Sequence, residues 1–126
     1  MSEQAEKVVL SLIERLNAND NQAVLESFAD DASYRVNAWT DPLVGVDAIA
    51  QDFERQHSIW SDLRIELLNI ASTGSVVFTE RVDAVHMMGR DVQIHMVGVF
   101  DVDNQGKISS WRDYFDMKEV ESQITG

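Results

Sequence analysis

The sequence contains no cysteine. Disulfides, thiol nucleophiles and zinc–thiolate centres are thereby excluded. There is one proline, Pro42, and only six glycines, so few points interrupt regular structure and no linker or repeat stands out. Cations are scarce: 10 Lys and Arg face 22 Asp and Glu, for a net charge of −12. Nucleic acid, an anionic membrane or a polyanionic substrate would be repelled, which leaves a neutral small molecule as the better-matched partner. The three histidines, His57, His86 and His95, show neither His-x-His nor His-x-x-x-His spacing, so no metal is expected. A Gly-x-Ser-x-Gly elbow and a glycine-rich phosphate loop are also missing. No apolar run is long enough to span a membrane. The opening Ser2-Glu3-Gln4-Ala5-Glu6 is polar and acidic, unlike a signal peptide, and the expectation is a cytoplasmic protein.

What is present suits one domain over residues 1–126, with 44% hydrophobic and 25% charged residues and a core that needs no covalent staple. Ala5, Val8, Val9, Leu12, Ile13 and Leu16 recur at helical spacing and predict a helix over 3–18. Asn19-Asp20-Asn21 ends it, and Asp20 or Asn21 caps a short helix carrying Val24, Leu25 and Phe28. A strand is expected near 33–37 and a loop over 39–46. Asp47 is expected to cap a third helix that buries Ile49, Phe53 and His57. Strands follow over 63–72, 76–88, 91–102 and 107–115, and Asp116 caps a C-terminal helix. Helices first and an antiparallel run afterwards define an α+β fold. A strongly curved, mostly antiparallel sheet with N-terminal helices across its concave face makes a cone whose mouth is a natural small-molecule pocket.

Strand parity sorts the side chains. A two-residue turn at Gly89-Arg90 would set Asp83 opposite Met96, Arg81 opposite Gly98 and Val85 opposite Ile94. One face then holds Arg81, Asp83, Val85, Ile94, Met96 and Phe100, joined by Trp111, Asp113 and Phe115 of the last strand. The other carries Val82, Ala84, His86, His95, Val97 and Val99, which is unusually apolar for a solvent side. A homodimer packed back to back through Val82, Val97 and Val99 is expected, unless the helical tail covers that face.

Arg81, Asp83 and Asp113 thus gather one cation and two carboxylates in an apolar field. Two close carboxylates resist joint ionisation, so one keeps a proton while the other is a base. Tyr34 and Asn37 add a phenol and an amide able to hold a water, and Trp39, Trp60 and Trp111 are candidates for a pocket wall or a core. The residues alone leave a structural ion-pair cluster and a catalytic site both open.

The strings Val-Phe-Thr-Glu-Arg-Val-Asp at 77–83, Gly-Val-Phe at 98–100 and Ser-Trp-Arg-Asp-Tyr-Phe-Asp at 110–116 resemble the limonene-1,2-epoxide hydrolase family, and the order of elements matches over nearly the whole chain. The resemblance implies the cone-shaped NTF2-like (SnoaL-like) fold. It implies that Asp83 is the general acid on the epoxide oxygen, Asp113 the general base on a water and Arg81 the bridge between them, with Tyr34 positioning the water. It implies a cofactor-independent, metal-free hydrolase of a small apolar epoxide, with Ile65, Val85, Ile94, Met96, Phe115, Val120, Trp39 and Trp60 as lining candidates. The family pattern Tyr-x-Asn becomes Tyr34-Arg35-Val36-Asn37 here. A β-bulge is expected to bring Asn37 back to the Tyr34 face; otherwise Val36 takes its place. An isomerase or dehydratase on the same cone, and a non-catalytic module for an apolar ligand, are the alternatives.

Overall fold

The computed structural model describes residues 2–125. Helix α1 (Ser2–Asn17) buries Ala5, Val9, Leu12 and Ile13 along one stripe, the periodicity its sequence shows. Asp20 caps α2 (Asn21–Glu26) by accepting the Ala23 backbone N–H at 3.1 Å. Strand β1 (Phe28–Arg35), the two-residue β2 (Leu43–Val44) and α3 (Val46–His57) follow. Four long strands come next: β3 (Trp60–Thr73), β4 (Val76–Met87), β5 (Arg90–Val102) and β6 (Ile108–Phe115). Helix α4 (Met117–Ile124) closes the described chain, with Asp116 accepting the Lys118 N–H as its cap. Among the described residues no helix is long and apolar enough to cross a membrane.

One six-stranded sheet runs β2-β1-β6-β5-β4-β3. Among the described residues only the β1–β6 pair is parallel. Register shifts in β3, between Ser61 and Arg64 and again between Leu67 and Asn69, bend the sheet. The inner face of β4 reads Val77, Thr79, Arg81, Asp83, Val85. Val77 belongs to a large core beneath α1 and α3 that also holds Phe28, Phe53, Phe100 and Trp111. Val85 belongs to a second cluster with Val92, Ile94 and Val120, which α4 covers. Thr79, Arg81 and Asp83 therefore occupy the join between two apolar clusters.

Several expectations need correction. The first strand starts at Phe28, not at 33, and ends before Val36. The exposed Asp30 and Asp31 hide it in the sequence; they sit where the pairing with β6 shifts register between Phe28 and Ser33. Asp47 does not cap α3. Gly45, at φ 94°, is the cap, with no side-chain hydrogen bond, and Asp47 lies in the first turn, where its charge suits the helix dipole. His57 is exposed rather than buried. The β4–β5 turn is Met88-Gly89, both at positive φ (53° and 75°), and it pairs Met87 with Arg90. Asp83 therefore faces Ile94, Arg81 faces Met96 and Val85 faces Val92. That register differs by two residues from the expected one, so every side chain keeps its face. Helix α4 packs Val120 against Val85, Val92 and Ile94 of the inner face and meets the outer face at His95, through Glu119.

Candidate active site

The strand register brings the three charged residues together. Asp113 on β6 pairs with Gly98 on β5, and Gly98 pairs with Thr79 on β4, one step along the inner face from Arg81. Arg81 is only 1% exposed, and a guanidinium so enclosed must have its donors satisfied. Its Nε donates to Asp83 Oδ1 at 2.9 Å. Its Nη2 donates to Asp113 Oδ2 at 2.9 Å, to Asp83 Oδ2 at 3.3 Å and to the Met96 sulfur at 2.9 Å. Its Nη1 donates to Thr79 Oγ1 at 3.2 Å.

Trp111 completes the set. Its indole N–H donates to Asp113 Oδ1 at 2.7 Å, and its ring packs on Tyr34 (4.7 Å between centroids), Phe100 (5.2 Å) and Phe28 (6.1 Å). The Arg81 guanidinium carbon lies 5.8 Å from the same ring, within cation–π range. Trp111 shares a face with Asp113 by its two-residue spacing, but its hydrogen bond was not anticipated.

Burial pushes Asp113 up to about 6, against the opposing pull of Arg81, with the charge of Asp83 adding to the rise. Burial also raises Asp83, again opposed by Arg81. Arg81 is held firmly in its charged form by the two carboxylates, which outweigh its own burial. One cation with one carboxylate and one carboxylic acid leaves the buried trio neutral; ionising both acids would leave it at −1. Both Asp113 oxygens accept short N–H bonds, which suits a carboxylate. Asp83 Oδ2 has only the 3.3 Å contact, which leaves room for a proton. Burial raises Tyr34 as well, and the Asp113 charge adds to the effect, so the phenol stays protonated.

A cavity of about 280 Å³ opens over Asp83 and Asp113. Of the expected wall residues, Ile65, Val85, Ile94, Met96, Phe115, Val120 and Trp60 line it, with Trp111 added. Trp39 does not. It is 55% exposed and tilts against the wall residue Phe115 at 5.6 Å. Tyr34, Val36 and Asn37 all reach the cavity, though not through a bulge between Tyr34 and Asn37. The strand has ended at Arg35, and a bend brings both Val36 and Asn37 inward. Asn37 is buried, and its Oδ1 accepts the Trp39 N–H at 3.2 Å. Gln56, on α3, also lines the cavity and had no part in the sequence reading. His86 and His95 point to the outer face, where they contact Asp91 and Glu119. Among the described residues no group of three His, Asp or Glu is placed to share a metal ion.

Comparison with known proteins fits this arrangement. The family model for the limonene-1,2-epoxide hydrolase catalytic domain matches residues 3–125, and the chain belongs to that family. The curated epoxide hydrolase EphG of Mycobacterium tuberculosis is 41% identical over 56 residues, a stretch that spans 44% of this chain and 37% of that relative. The solved structure of an M. tuberculosis LEH-like epoxide hydrolase superposes with a TM-score of 0.85 at 28% identity, covering 98% of this chain and 91% of the other. An NTF2-like protein from Burkholderia pseudomallei (TM-score 0.88, 19% identity, all of both chains) and the epoxide hydrolase/cyclase-like enzyme SalBIII (0.85, 21%, 93% and 94%) share the fold.

Gly98 was not expected to matter to the site. A Cβ there would fall inside the contact distance of Arg81 Nη1 and 2.9 Å from Asp113 Oδ1. Gly98→Ala should therefore push the guanidinium off one acid. The expected cost is about 1–3 kcal/mol of stability, as for other overpacked cores, in a urea melt, together with lost activity. An alanine variant as stable and active as the parent would show that the trio tolerates displacement.

Proposed function

We propose that this chain adds water to a small, mostly apolar epoxide of terpene or cycloalkene type and releases a vicinal diol in one step. The observation that carries the reading is the single guanidinium nitrogen Nη2 reaching Asp113 at 2.9 Å and Asp83 at 3.3 Å at the edge of an apolar cavity. Asp113, raised to about 6, is a carboxylate at neutral pH and still basic enough to take a proton. Tyr34 and Asn37 hold the water beside it. Asp113 removes one proton as the water oxygen attacks a ring carbon. The carbon–oxygen bond on that carbon breaks, and Asp83 delivers its proton to the departing oxygen. The sum is one epoxide and one water converted to one diol, with one proton moved from Asp83 to Asp113. That proton must return before the next turnover. The reaction balances without a cofactor, and no ester to the protein forms.

The cavity supports a small substrate: about 280 Å³ is just below the roughly 300–1,000 Å³ of ligand pockets. Met96 and Met87 give its wall pliable side chains. A panel of limonene, cyclohexene and cyclopentene oxides should yield diols with the parent protein. Asp83→Asn and Asp113→Asn should each lower kcat by about 10²–10⁴-fold with the fold retained by circular dichroism. Undiminished turnover by either amide variant would remove this mechanism.

The outer face supports a homodimer. Phe78, Val97 and Tyr114 are 40%, 42% and 40% exposed there, beside the half-buried Val82 and Val99. Glu80 lies next to Val97 on the same side, and Arg112, paired with Asp101 at 2.8 Å, lies next to Val99. An apolar centre rimmed by both signs of charge is self-complementary under a two-fold axis. Sedimentation should give a dimer for the parent and a monomer for Val97→Glu; a monomeric parent would contradict the assignment.

A further inference from the structure

A second polar network borders the cavity. It is carried on the last turns of α3. Arg55 holds Asp52 through Nε at 3.0 Å and Nη2 at 2.9 Å. The Asp52 side chain is only 11% exposed, which is unusual for a carboxylate on a helix surface. Its other oxygen accepts the Gln56 Nε2–H at 2.6 Å. Gln56 lines the cavity with Tyr34, and it opposes the rise of the Tyr34 phenol, the effect of an amide N–H turned toward the phenol oxygen.

Chemistry fixes the order of these contacts. Asp52 is an acceptor, so the Gln56 amide must turn its nitrogen toward it. Once that nitrogen is held, the amide cannot flip, and the face it offers Tyr34 is set. The Tyr34 ring is itself immobile, edge-on to Phe53 at 5.8 Å and tilted on Trp111 at 4.7 Å. The only freedom left to the phenol is rotation of its O–H about the C–O bond.

We infer that Gln56, anchored by Asp52, is a positioning residue that fixes the direction of the Tyr34 hydroxyl and so the carbon toward which the held water is aimed. The inference deepens the hydrolase reading and rests on it. Asp113 takes one proton of the water whatever Tyr34 does, but where the water oxygen sits above the epoxide depends on the second hydrogen bond.

The test uses 1-methylcyclohexene oxide, whose two ring carbons differ, in heavy-oxygen water under single turnover. Mass spectrometry reads which carbon carries the label. The parent should favour one carbon. Gln56→Leu should erode that preference and lower kcat about tenfold, the effect of one orienting hydrogen bond, with KM little changed. Gln56→Asn, too short to span Asp52 and Tyr34, should behave alike and guards against a variant that fails to fold. The Gln56→Leu effect should vanish in a Tyr34→Phe background. A structural role would move the melting temperature but not the labelled carbon. An unchanged label ratio, or a loss that persists in full without the phenol, would overturn the inference. The chain has two tyrosines, so the ring carbon bearing the Tyr34 hydroxyl can be followed by carbon NMR, assigned with Tyr34→Phe. Its shift should move in Gln56→Leu, and an unmoved shift also overturns the inference. A parent that forms no diol defeats the hydrolase reading, while this NMR readout still decides the role of Gln56.

Discussion

A guanidinium almost sealed from water governs this molecule. Arg81 cannot be left unpaired in that place, since an uncompensated buried charge costs several kcal/mol. It is matched on every nitrogen: by Asp83 along its own strand, by Asp113 two strands away, by Thr79 beneath it and by the Met96 sulfur. Those partners come from β4, β5 and β6, so the pairing of three strands is tied to one side chain. A slip of one residue in any of them would turn a partner to the outer face. The same constraint reaches the middle strand, where only glycine at position 98 leaves space for the guanidinium and the Asp113 carboxylate together.

The polar join is made tolerable by what flanks it. On one side the aromatic group of Phe28, Tyr34, Phe53, Phe100 and Trp111 holds the indole in place so that its N–H meets Asp113. On the other, Val85, Val92, Ile94 and Val120 form an apolar wall that keeps water scarce near the acids. Low polarity raises both carboxyl groups and the nearby cation lowers them. The outcome is an Asp113 carboxyl raised to about 6 beside an Asp83 that burial raises as well. The epoxide hydrolase/cyclase-like enzyme SalBIII shares this fold, and a shared fold does not by itself assign a chemistry.

Much of this was legible in the sequence because strand parity is a strong code. The two-residue spacing of Arg81 and Asp83, and of Trp111, Asp113 and Phe115, set their common face even though the β4–β5 turn was misread. Met88 is a poor turn residue by composition, since left-handed φ favours glycine or asparagine, and the glycine beside it drew the turn one position too far. The two-residue error in register was harmless to the faces. What remained hidden depends on where the chain goes after regular structure stops. Asn37 reaches the cavity by leaving the strand, and Trp39, two residues further on, is exposed and packs on Phe115 outside the lining. Gly98 is informative only once the direction of the Arg81 side chain is known. Gln56 lies on a helix distant in sequence from every strand residue of the site, and no periodicity connects it to Tyr34.

The central claim is that the two acids around Arg81 differ by one proton at neutral pH. Carbon NMR of protein labelled at the aspartate carboxyl groups, with Asp83→Asn and Asp113→Asn for assignment, measures this without any substrate. The account predicts that Asp113 ionises near about 6 and that the Asp83 signal is still that of a carboxylic acid at neutral pH. Two carboxylates that both ionise near the ordinary value of about 4 would contradict it.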